Sequence, residues 1–115
     1  KADICLTPIA CRQRWLRMVS IPYSLEINDR PAFDRSHRSA AEFEQMIRDQ
    51  FDVLYRESER TGKVMAIALH PYLIGVPHRI NPLERALAYI CGHDEIWWAT
   101  GGEIVDHFLT VTGAE

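Results

Sequence analysis

Lys63-Val64-Met65-Ala66-Ile67-Ala68-Leu69 is apolar throughout after its lysine, and His70 and Pro71 follow it directly. An apolar run of this length without alternation reads as a strand covered on both faces of a parallel sheet. Upstream of it, Ser39-Ala40-Ala41-Glu42 has the form of a capping box, and Phe43, Met46, Ile47, Phe51 and Leu54 follow on one helical face. That helix is expected to run to about Thr61, with Gly62 ending it. Further upstream, Val19, Ile21, Tyr23, Leu25 and Ile27 alternate with more polar residues and predict a first strand with one buried face. Pro22 would then sit at an edge or a bulge. The polar stretch NDRPAFDRSHR between this strand and the helix reads as a loop.

Downstream, HPYLIGVPHR carries two prolines and a glycine and also reads as a loop. Asn81-Pro82-Leu83-Glu84 supplies a cap, a first-turn proline and an acidic residue for a second helix, whose buried stripe would be Leu83, Ala86, Leu87 and Ile90. Gly92 can close it. Ile96 to Ala99 predict a short third strand, with Trp97 and Trp98 on opposite faces, one of them filling the core and the other packing under a helix. Thr100-Gly101-Gly102-Glu103 is a second capping box, opening a last helix with Ile104, Phe108 and Leu109 inward.

The resulting order, β-α-β-α-β-α, is that of an α/β chain with right-handed crossovers and a parallel sheet. In such folds ligands meet the loops beyond the carboxyl ends of the strands. The candidates are therefore Asn28 and Asp29 after the first strand, His70 after the second and Thr100 after the third. A histidine can move protons near neutral pH, and Pro71 would hold it rigidly. Spacing alone leaves His70 equally open to catalysis and to capping by local backbone. Asn28 and Asp29 could orient a substrate or the histidine, but Asn-Asp before Arg30-Pro31 is also ordinary turn chemistry. Thr100 reads as a helix cap, and His78 and Arg79 as polar loop ends that could also meet an anionic or carbonyl group. His93 and His107 read as solvated positions on helices, and Tyr23 as core or pocket wall.

Bulk properties narrow the function classes. The chain has 115 residues, 47% hydrophobic and 25% charged, the balance of one folded domain and not of a disordered segment. A formal charge of -3 with both signs interspersed offers no field for a phosphate backbone, so nucleic acid is not an expected partner. No apolar run approaches the ~20 residues of a membrane span, and the first residues lack the apolar core of a signal peptide. No membrane partner is expected. Cys5, Cys11 and Cys91 form no CxxC pair, which suggests reduced thiols in the cytoplasm and neither a disulfide framework nor a thiolate zinc site. No pair of histidines has the spacing of a helical metal site.

Four segments in order, IPYSLEIND, FDVLYRE, MAIALHPYLIGVPHRI and WWATGGEI, resemble the C-terminal half of allantoinase-like proteins in the polysaccharide deacetylase superfamily. The resemblance spans roughly residues 19–110 and leaves 1–16 unmatched, so residues 1–115 are expected to form a single partial domain. It implies a partial (β/α) barrel and a hydrolase of non-peptide carbon–nitrogen bonds, acting on cyclic amides, ureides or N-acetyl groups. It implies that His70 is the histidine of the family's last motif, which protonates the leaving amine. The aspartate and paired histidines that bind a divalent metal such as zinc belong to earlier motifs, none of which occurs in this sequence. No cofactor is therefore expected of this chain itself, and the allantoinase-like branch does not always retain the metal.

The leading expectation is a hydrolase fragment with His70 catalytic, Tyr23, Asn28 and Asp29 as substrate-binding residues, and a small amide or ureide as substrate. It is expected to need a missing N-terminal half or to self-associate as a homo-oligomer. The alternatives are a non-catalytic binding or assembly module on a half-barrel scaffold, and a self-sufficient small hydrolase built on His70 and Asp29.

Overall fold

A computed structural model describes residues 19–23 and 25–113. The expectations for residues 1–16 lie outside the described residues. A π-helical turn, Pro31–Arg35, precedes α1 (Ala40–Glu57), α2 (Pro71–Ile74), α3 (Pro77–Cys91) and α4 (Gly101–Thr112).

The helix starts follow local chemistry. The Ser39 hydroxyl accepts from the Glu42 backbone N–H, and the Glu42 carboxylate accepts from the Ser39 N–H at 2.7 Å. Thr100 and Glu103 make the same reciprocal pair at the start of α4. Both capping boxes stand where the sequence predicts them. α1 ends earlier than expected, at Glu57, where the bonding tightens to three-residue turns: the Ser58 N–H is shared with the Tyr55 carbonyl, the Ser58 hydroxyl donates to that same carbonyl at 2.6 Å, and the Arg60 N–H goes to the Glu57 carbonyl at 3.2 Å.

The core lies between α1 and α3. Phe43, Ile47 and Phe51 make one buried stripe on α1, and Leu83, Ala86 and Ile90 face it from α3. Ala86 is fully buried, and its small side chain lets the two helices approach closely. Across the rim of this contact Glu44 accepts two bonds from the Arg85 guanidinium, at 2.7 and 3.0 Å, and also pairs with Arg48. The Tyr89 hydroxyl donates to Asp52 at 2.7 Å, and the Arg48 guanidinium lies over the Tyr89 ring.

Three expectations are corrected. First, the three predicted strands form no ladder among the described residues; a single parallel bridge joins Asn28 to Ala68. In it the Ala68 N–H donates to the Ile27 carbonyl at 2.9 Å and the Asp29 N–H to the Ala68 carbonyl at 3.1 Å. A parallel pair is stable only between flanking neighbours with both faces covered, and here the chain turns at 25–27, so the pairing does not extend along the alternating residues. Tyr23 and Leu25 consequently stand in solvent, and Trp97 and Trp98, at 51% and 57% exposure, are not buried in the core, although the Trp97 ring meets His107 of α4 edge-on.

Second, NDRPAFDRSHR is not simply a polar loop. Pro31 opens the π-helical turn, which buries Ala32 and Phe33, and Phe33 meets Phe43 edge-on at 5.5 Å. Third, α3 starts at Pro77, four residues before the expected Asn81 cap, and carries Pro82 in its interior. The proline removes one intrahelical bond, which the buried stripe of Leu83, Ala86 and Ile90 outweighs.

No helix among the described residues is long and apolar enough to cross a membrane.

Candidate functional site

His70 follows the non-helical apolar run directly and is the extended residue before α2. Pro71 occupies the first position of α2, where its fixed φ suits the helix and its missing N–H is not needed. The turn is held from three sides. Leu73 and Ile74 are buried in the core, the Arg79 guanidinium donates to the Leu73 carbonyl at 3.2 Å, and the Gly75 N–H closes on the Pro71 carbonyl at 3.0 Å. A side chain at Gly75 would run into that same Pro71 carbonyl, so this close approach requires glycine.

The parallel bridge brings Asp29 to His70 from 41 residues away. Asp29 is fully buried, and both of its carboxylate oxygens are used: Oδ2 accepts from the His70 backbone N–H at 2.8 Å, and Oδ1 lies 2.6 Å from His70 Nδ1. A carboxylate only accepts, so Nδ1 carries the proton in this pair. Nε2 is then the nitrogen that can meet a second group, and the side chain of His70 is 30% exposed. A buried carboxylate on one imidazole nitrogen fixes the ring's orientation and tautomer and offsets the charge of the ring when both nitrogens are protonated.

The other candidate residues fall around this pair. Asn28 is buried, its Oδ1 accepts from the Arg30 N–H at 3.1 Å as turn chemistry requires, and its Nδ2 reaches the Tyr23 hydroxyl at 3.5 Å. Tyr23 itself is exposed. Tyr23, Asn28, Asp29 and His70 thus form one linked group. Thr100 is an exposed cap for α4. Arg79 is spent on Leu73 and on the face of Phe33, where its guanidinium sits 4.5 Å from the ring centre, and His78 is exposed.

Two histidines differ from expectation. His93 is half-buried beyond the end of α3, its ring against Phe51, Tyr55 and Tyr89 and its Nδ1 2.8 Å from the Tyr89 carbonyl. His107 is half-buried with its ring against Trp97. Neither is simply solvated.

Among the described residues no three His, Cys, Asp or Glu side chains gather as metal ligands. Asp29 has both oxygens on His70, so this pair does not make the donor set a divalent metal needs.

No family model matches the chain. It is 36% identical over 89 residues to a Schizosaccharomyces pombe protein named "Putative polysaccharide deacetylase", covering 76% of this chain and 28% of that protein. It is 30% identical over 100 residues to the "Peptidoglycan deacetylase" of Helicobacter pylori, covering 80% of this chain and 33% of the other. Among solved structures, a "probable Polysaccharide deacetylase" from Pseudomonas aeruginosa superposes with a TM-score of 0.77 at 36% identity, and "Puue Allantoinase" with 0.77 at 32%. Each superposition covers 82% of this chain and 32% of the other. The chain therefore spans about a third of the length of the proteins it matches.

Proposed function

We propose, on the premise that this chain belongs in part to the polysaccharide deacetylase superfamily, that it supplies the proton-transferring histidine of a hydrolase of non-peptide carbon–nitrogen bonds. The reading rests above all on His70 Nδ1 lying 2.6 Å from an oxygen of the fully buried Asp29. We place the chain with the allantoinase-like branch and its substrate with small cyclic amides or ureides, N-acetyl compounds being the other substrate class.

In this role water adds to the carbonyl carbon, and the carbon–nitrogen bond breaks as Nε2–H of the doubly protonated His70 gives its proton to the departing nitrogen. Asp29 touches neither substrate nor water. It is a positioning residue that holds Nδ1 and so directs Nε2 outward. Asn28 fixes the turn that carries Asp29, and Tyr23 stands at the exposed end of the group. The water-activating part of the reaction belongs to residues outside the linked group.

The chain acts with polypeptide that extends the pairing begun at Asn28 and Ala68, whether a remaining part of the same fold or a further copy. The single bridge at Ala68 and the exposed Trp97 and Trp98 support this, since open strand edges and apolar patches invite pairing. Its working place is the cytoplasm, where the exposed thiol of Cys91 stays reduced.

The test is turnover of a cyclic amide or ureide by an active preparation containing this chain. His70→Ala is expected to lower kcat by ~10²–10⁴-fold with the fold retained. Near-normal turnover in that variant rules out the acid role.

A further inference from the structure

We infer that Tyr72 is a substrate-contacting residue that sets specificity at this site, its phenol ring forming a flat wall for a planar cyclic amide or ureide presented to His70. The inference rests on the reading of His70 above. Tyr72 belongs to the anchored turn α2, in which Leu73 and Ile74 are buried, yet it is itself 63% exposed. A single exposed tyrosine needs no explanation in general. This one differs because its neighbours remove its freedom to be elsewhere, and because its ring meets the imidazole of His70, with centroids 5.7 Å apart and planes at 71°.

That angle bears on chemistry. The lone pair of an amide nitrogen stands normal to the amide plane, so an acid must approach from above the plane. A flat substrate stacked on the Tyr72 face lies steeply inclined to the imidazole. Its nitrogen can then receive a proton delivered in the imidazole plane, from the nitrogen that Asp29 leaves open. In an N-acetylated sugar the pyranose chair is puckered, and only the small acetamide group supplies a plane to stack. Aromatic contacts of this kind contribute enough to change affinity about three- to tenfold.

The experiment is a nuclear magnetic resonance titration of the purified chain, labelled in its histidine rings, with hydantoin as the planar probe and N-acetylglucosamine as the non-planar one. Hydantoin is expected to shift the His70 ring signals. Tyr72→Ala and Tyr72→Leu, which remove the ring while keeping none or most of the bulk, are expected to raise the hydantoin Kd about three- to tenfold. Tyr72→Phe is expected to rescue it, and N-acetylglucosamine to respond weakly to all three. An unchanged hydantoin Kd in the alanine and leucine variants overturns the proposal, as does failure of hydantoin to shift His70 in the unaltered chain. Since the acid role is read on the kcat of His70→Ala and this proposal on the hydantoin affinity of the Tyr72 variants, loss of this proposal alone leaves the acid role standing.

Discussion

Replacing Asp29 by asparagine keeps its size but changes what His70 can bind. The carboxylate is fully buried and accepts from the His70 backbone N–H at 2.8 Å and pairs with Nδ1 at 2.6 Å. Hydrogen bonds to a charged group contribute about 1.5–3 kcal/mol each. Asparagine retains one acceptor for the His70 N–H and turns its NH2 group toward Nδ1, so the contact with the ring survives only if Nδ1 gives up its proton, and the loss of the charged acceptor should cost about 1–3 kcal/mol of stability. Alanine removes both acceptors and should cost about 3–6 kcal/mol, the two bonds to a charged group together. Urea unfolding at pH 7, followed by circular dichroism, measures both. Nitrogen resonances of the His70 ring report the second consequence: Nδ1–H in the unaltered chain, and a shift of the proton toward Nε2 with asparagine, whose NH2 favours a bare Nδ1. An unchanged urea midpoint together with an unchanged tautomer in Asp29→Asn would show that the carboxylate neither stabilises the fold nor fixes the His70 ring.

Other outcomes follow from the same structure. Gly75→Ala forces a methyl group into the Pro71 carbonyl and should lower stability by about 1–3 kcal/mol, read as a reduced urea midpoint; no reduction means that α2 is not held as described. The helix starts should weaken in acid. The Ser39 backbone N–H, then its hydroxyl and Arg38, hold the Glu42 carboxyl below its ordinary value of 4.5, and the Thr100 backbone N–H, then its hydroxyl, do the same for Glu103. A carboxyl whose folded value is depressed stabilises fully above the unfolded value and loses that contribution as pH falls through the folded one. Melting temperature should therefore drop as pH falls from 4.5 downward, and less so in Glu42→Gln/Glu103→Gln; equal acid sensitivity in that variant counts against the caps.

What the sequence carries plainly is what depends on near neighbours. Ser39 with Glu42 and Thr100 with Glu103 are three residues apart, and each pair forms its capping box without help from the rest of the chain. His70 before Pro71 is equally local, and it does leave the end of the apolar run. The sheet is a different matter, since ladders require partners far along the chain, and the alternation of Val19 to Ile27 is strand-like whether or not any partner lies beside it. The same holds for Asp29. Its neighbours Asn28 and Arg30 make a turn of ordinary composition, and only the bridge to Ala68 turns the aspartate toward the histidine. Pro82 suggests a helix start, since proline is favoured at that position, while the start at Pro77 satisfies the same preference five residues earlier. Ala32 and Phe33 after Pro31 were the available sign that the supposed loop packs inward. For His93 the clue was the spacing of Tyr89 one helical turn before it, which places the two rings together once Phe51 and Tyr55 are packed alongside.

Asp29 and His70 act as one unit, and a double-mutant cycle on turnover measures their coupling. With cyclic ureide hydrolysis measured in an active preparation, Asp29→Asn and His70→Ala should each lower kcat, and the double variant should be no slower than His70→Ala alone, because Asp29 has nothing to position once the imidazole is gone. A double variant slowed by the product of the two single effects would show that Asp29 and His70 act independently and not as one unit.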